Sequence, residues 1–99
     1  MLNIKKAIQN GTAIFALEGR LDTVTAPELE TQIKNALPGL TKLTLDLAEL
    51  DYVSSAGLRV FISAYKVMTA QGEMKVCNVK EDVMEVFEMT GLSDILTVE

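Results

Sequence analysis

The sequence predicts one α/β domain spanning residues 1–99, a mixed sheet with helices packed on it in the order β-β-α-β-α-β-α-β. Three observations carry this prediction. An Asn-Gly pair at 10–11 lies between two apolar segments, Leu43, Leu45 and Leu47 alternate with polar residues, and apolar residues at helical spacing follow three capped or serine-led starts. Strands alternating with helices after an opening hairpin imply a mixed sheet with helices packed on it.

Met1 to Ile8 reads as the first strand. The turn at Asn10-Gly11 follows, because both residues tolerate positive φ. Thr12 to Glu18 continues as the second strand, rich in Ile, Phe and Leu, and Gly19 ends it, with Arg20-Leu21-Asp22 as the exit. Thr25-Ala26-Pro27-Glu28 matches a capping box, with Thr25 as N-cap and Pro27 in the first turn, where no hydrogen bond is lost. Leu29, Ile33, Ala36 and Leu37 follow at helical spacing, and Pro38-Gly39 stops that helix.

Lys42 to Leu47 has period two, the mark of a strand with one face in the core. Tyr52-Val53 leads into Ser54-Ser55-Ala56-Gly57, and a helix is expected from about Gly57 to Ala70. Leu58, Phe61, Ile62, Tyr65 and Met68 form its apolar stripe, and Gly72 its stop. Glu73 to Val79 is the next strand. Asn78-Val79-Lys80-Glu81 resembles a second capping box, opening a helix through Met89 with Val83, Val86 and Phe87 inward and Gly91 at its end. Ile95 to Val98 is expected to form a last short strand.

Composition removes whole classes of function. The chain has no histidine and one cysteine, which excludes a Ser-His-Asp triad, a histidine general base, a His-ligated metal and the structural zinc patterns. Without a Gly-rich phosphate loop, nucleotide hydrolysis through Asp22 or Asp46 has nothing to hold its substrate. No cofactor is expected. The net charge is −5, and an acidic surface repels phosphate backbones and anionic lipid, so neither nucleic acid nor a membrane is an expected partner. Absence of a spanning apolar run or a signal-peptide block, with one unpaired thiol, points to the cytoplasm. Cys77 and the methionines Met68, Met74, Met84 and Met89 read as core filler.

The chemistry concentrates where a polar loop after the third strand enters a helix through Ser54 and Ser55. Helix N-termini carry free N–H groups and partial positive charge, so a phosphate is tolerated there. Either serine can equally be a plain N-cap. Gly57 in the first helical turn costs roughly 1 kcal/mol against alanine, which suggests close access to the backbone at that point. Asp22 is either an Asx turn or part of a docking face. Asp46 is read as a hydrogen-bonded structural carboxylate, and Arg59 as a partner contact.

The stretch Leu50-Asp51-Tyr52-Val53-Ser54-Ser55-Ala56-Gly57-Leu58-Arg59-Val60 resembles the signature loop of bacterial anti-sigma-factor antagonists of the STAS domain class. Leu17-Glu18-Gly19-Arg20-Leu21-Asp22 and Leu45-Asp46-Leu47 agree with it, and the likeness covers nearly the whole chain. It implies a binding module rather than an enzyme. Its partners would be an anti-sigma factor with serine kinase activity and a resetting protein phosphatase. In that family the serine two residues before the Gly-Leu pair takes the phosphate, which falls here on Ser55. Ser54 stands where many members carry Asp, and is the alternative acceptor. The docking face implied comprises Asp22, Asp51, Ser54, Ser55, Gly57, Leu58 and Arg59. A scaffold or transporter-associated role without phosphorylation is the competing reading.

Overall fold

The computed structural model describes residues 1–99. The strands are β1 (Leu2–Gln9), β2 (Thr12–Leu21), β3 (Lys42–Val53), β4 (Glu73–Cys77) and β5 (Thr97–Val98). The helices are α1 (Ala26–Ala36), α2 (Ser55–Gln71), α3 (Glu81–Thr90) and a single turn, α4 (Leu92–Ile95). The strands lie side by side in chain order; β1 is antiparallel to β2 and every other pair is parallel, the expected mixed sheet.

The opening turn forms as its residues dictate. Asn10 and Gly11 both have positive φ, 52° and 78°, the geometry whose twist matches a tight hairpin. Phe15, Leu17, Leu43, Leu45 and Val76 then point to one face of the sheet. There they meet Leu29 and Ile33 of α1, Phe61 and Met68 of α2, and Phe87 of α3, all buried. Phe61 and Phe87 meet edge to face at 6.1 Å between centroids, tying α2 to α3.

The third strand is twice as long as its alternation suggests. It runs on through Val53, not ending at Leu47, because two irregularities interrupt its pairing with β2: Ala16 and Glu18 face Asp46 and Glu49, and Gly19 and Arg20 face Leu50 and Tyr52. Each inserts one extra residue on β3, a bulge that shifts the inward position by one. Leu47, Leu50 and Val53 therefore all stay buried at spacing three rather than two. Asp46 is the structural carboxylate expected of it: its Oδ1 accepts from the Ala48 N–H at 3.1 Å, beside the first bulge, and from the Asn78 side-chain amide at 3.2 Å. On the partner strand, β2 continues past Gly19 to Leu21.

Both capping boxes are replaced by other contacts. Thr25 is the N-cap of α1 but its side chain caps nothing; its hydroxyl donates to the Arg20 carbonyl at 2.9 Å and accepts from the Asp22 N–H at 2.9 Å. Before α3, Lys80 is the N-cap, and Asn78 adopts φ 56° in the turn out of β4. The short asparagine side chain tolerates that left-handed geometry. At the C-terminal end, Ile95 belongs to α4 rather than to the last strand, because buried Leu92 anchors an extra turn after Gly91. Met68 and Met74 are core residues and Met84 packs beside them, but Met89 is 86% exposed on the outer side of α3. Cys77 is only partly buried; burial, then the nearby carboxylates of Asp46 and Glu99, pushes its thiol pKa up.

Candidate functional site

Parallel pairing brings the site together. β2 and β3 run side by side, so the loops at their carboxyl ends emerge on the same edge of the sheet. The Ser54 N–H extends the ladder by donating to the Leu21 carbonyl at 2.8 Å. Asp22 and the two serines, thirty-odd positions apart in sequence, thus leave adjacent strands side by side. One residue, Ser54, separates β3 from α2; the expected polar loop is itself strand.

The serines differ in environment. Ser54 is half-buried, extended at φ −93° and ψ 173°, and is the N-cap: its Oγ accepts from the Gly57 N–H at a long 3.4 Å. Ser55 is the first residue of α2, two positions before the expected start, and it is exposed. Its hydroxyl takes part in none of the chain's side-chain hydrogen bonds, so it is free to react. No acidic residue stands in the first turn of α2 to repel an anion.

Gly57 and Leu58 are correctly placed in the signature but are not surface. Leu58 is 6% exposed and Gly57 is buried. A Cβ on Gly57 would lie 2.6 Å from Leu21 Cγ, 2.7 Å from Leu21 Cδ2 and 2.9 Å from Val53 Cγ2. The close approach that calls for glycine is thus internal, where α2 presses on the ends of β2 and β3. Nothing from outside is needed to explain it.

Asp22 makes the Asx contacts weighed for it. Its Oδ1 accepts from the N–H groups of Val24 and Thr25, each at 3.0 Å. The Thr25 N–H foremost holds its carboxyl below the usual range; desolvation opposes it, and the Val24 N–H and the Thr25 hydroxyl add to the lowering. This turn stiffens the loop that carries Thr23 and Val24, and Val24 is 83% exposed. Sequence patterning missed Val24, because a lone valine in a loop has no period to betray it.

Asp51 is exposed but not free. The Lys80 ammonium donates to its Oδ1 at 2.5 Å, and that hydrogen bond is the main reason the Lys80 pKa is raised. Lys80 thus gives Asp51 a counter-charge beside the serines. Arg20 likewise stacks on Tyr52, 4.2 Å from the ring centroid, a contact fixed by their pairing across β2 and β3. Arg59 is exposed and lines a shallow groove between α1 and α2 with Thr23, Ala26, Glu30 and Ala56. The exposed residues of this edge are therefore Thr23, Val24, Asp51, Tyr52, Ser55 and Arg59. No cluster of side chains suited to a metal ion accompanies them.

This five-stranded mixed sheet with its helices has counterparts among known folds. The STAS domain model matches residues 3–99. The chain belongs to the STAS domain family. By sequence, it is similar to BtrV of Bordetella bronchiseptica, provisionally named an anti-sigma factor antagonist, at 38% identity over 90% of this chain and 78% of that protein. It is also similar to the anti-sigma-B factor antagonist of Listeria monocytogenes, at 32% identity over 99% of this chain and 87% of that protein. By structure, the STAS domain superposes on the anti-sigma factor antagonist SpoIIAA in its unphosphorylated form with a TM-score of 0.85, at 19% identity over 100% of this chain and 88% of that one. Phosphorylated SpoIIAA of Bacillus superposes with a TM-score of 0.76, at 18% identity over 100% of this chain and 91% of that one. At those identities the structural likeness speaks for the fold, and the predicted STAS architecture is the observed one.

Proposed function

We propose that this STAS domain is a cytoplasmic anti-sigma-factor antagonist. In its unmodified form it docks to an anti-sigma factor with serine kinase activity and so releases a sigma factor. The kinase transfers the γ-phosphoryl group of ATP to the Ser55 oxygen, which loses its proton as ADP leaves. The phosphorylated form no longer binds, and a protein phosphatase resets it.

The observation that carries this reading is the exposed, unengaged hydroxyl of Ser55 at the first position of α2. A phosphoryl group added there meets the free N–H groups of a helix start rather than a packed core. Ser54 is the poorer acceptor, since its oxygen is committed to the Gly57 N–H and its backbone to Leu21. The sequence relatives named as anti-sigma factor antagonists support the antagonist reading, and SpoIIAA, which shares this fold, has been solved in an unphosphorylated and a phosphorylated form. The docking face narrows to what is exposed or half-exposed: Asp22, Asp51, Ser54, Ser55 and Arg59, with Val24 as an added apolar contact. Gly57 and Leu58 shape that face from beneath.

Incubation with a cognate kinase and ATP, followed by intact-mass measurement, tests the site. The wild type is expected to gain one phosphate and Ser55→Ala none, while Ser55→Ala stays folded and still binds the partner. Normal labelling of Ser55→Ala with loss of labelling in Ser54→Ala would move the switch to Ser54.

A further inference from the structure

Five of the nine cations of this domain are engaged, and of the four that are not, Lys5, Lys6, Arg59 and Lys66, Arg59 stands one helical turn from Ser55. Lys34 pairs with Glu30, Lys42 with Glu73, Lys75 with Glu99 and Lys80 with Asp51. Arg20 lies over the Tyr52 ring. Arg59 is exposed on α2, has no ion pair, and shares its groove with Glu30, whose carboxylate already faces Lys34 at 3.7 Å. Ser55 and Arg59 are four residues apart on one helix, and both are exposed. That spacing places their Cβ atoms about 5–6 Å apart, with the anionic partner on the N-terminal side, the favourable order for the helix dipole.

We infer that Arg59 is the positioning residue for a phosphate on Ser55: its guanidinium folds back along α2 and holds the phosphoryl oxygens through charge-assisted hydrogen bonds. This inference rests on the Ser55 reading above and deepens it. A phosphate dianion offers acceptor oxygens that match the planar fork of an arginine, which a lysine at the same place matches less well. Held in this way, the phosphate stays at the docking face and also withdraws the Arg59 charge from it.

The test installs phosphoserine at position 55 during synthesis, so that no kinase is required, and follows its second ionisation by phosphorus NMR. That ionisation ordinarily falls near pH 6. In the wild type its midpoint is expected at least about 0.3 pH unit lower than in Arg59→Gln, with Arg59→Lys between them. High salt should narrow the difference. Coincident midpoints in the wild type and Arg59→Gln would overturn the pairing. Titrating the partner with the unsubstituted domain, with and without phosphoserine at position 55, separates the two claims. Separated midpoints with undiminished partner binding would sink the switch and leave the pairing. Coincident midpoints with weakened binding would do the reverse. Arg59 is exposed, so neither substitution endangers folding.

Discussion

Gly57→Val is expected to destabilise the domain by about 2–3 kcal/mol, and so to lower its melting midpoint by about 10–20 °C. Even the first added carbon would sit within 2.6 Å of Leu21 and 2.9 Å of Val53. Both neighbours are buried at the ends of β2 and β3, with no solvent to move into. Removing glycine from a helix contributes about 1 kcal/mol in favour of the mutant, which offsets part of the clash for Gly57→Ala. Valine has two further methyl groups and a weaker helix propensity, so the clash wins. Thermal melts followed by circular dichroism read the outcome. A melting midpoint within about 2 °C of wild type would show that α2 does not seat on Leu21 and Val53 as described.

Adjacent acidic substitutions should separate the two serines. Ser55→Asp is expected to weaken partner binding about tenfold, roughly 1.4 kcal/mol, because a carboxylate on the exposed first residue of α2 faces the docking surface. It carries one charge where a phosphate carries nearly two, so it imitates the modified form only in part. Ser54→Asp should bind within about threefold of wild type and melt no lower, since aspartate is as good an N-cap as serine and Ser54 is half turned inward. Calorimetric titration of an anti-sigma partner with both variants provides the comparison. Equal losses at the two positions would mean that local negative charge, not the Ser55 position, governs binding.

The parts of this fold legible in the sequence are those set by neighbours along the chain. Asn10-Gly11 encodes its turn in two residues, and Leu58, Phe61 and Met68 mark the inner side of α2, although Val60 and Ala64 are buried there too and Ile62 and Tyr65 only partly. The far half of β3 was not legible, because its two bulges turn a period of two into a period of three from Leu47 to Val53. The start of α2 was placed late because Ser55-Ala56-Gly57 includes a weak helix former that only the contact with Leu21 and Val53 explains. The capping boxes were misread for a related reason. Thr25 has the right spacing to Glu28, but Asp22 and the Arg20 carbonyl compete for its hydroxyl and win.

At the site, the signature located Ser54, Ser55 and Asp22 but could not sort exposed residues from buried ones. Gly57 and Leu58 belong to the motif because of what lies beneath it. The pairing of Asp51 with Lys80 joins the end of β3 to the start of α3, 29 positions apart, and no local pattern announces it. It bears on the proposed switch: a phosphate on Ser55 would meet a helix start and an Asp51 that already has a counter-charge in Lys80.

The central claim is that one phosphate on Ser55 changes binding without changing the fold. It is tested most directly by titrating the anti-sigma partner with the domain carrying phosphoserine at position 55 and with the unmodified domain, melting both in the same buffer. The account predicts at least a tenfold loss of affinity, with stability altered by about 1 kcal/mol or less. A phosphorylated domain that bound its partner as tightly as before, or that unfolded, would contradict it.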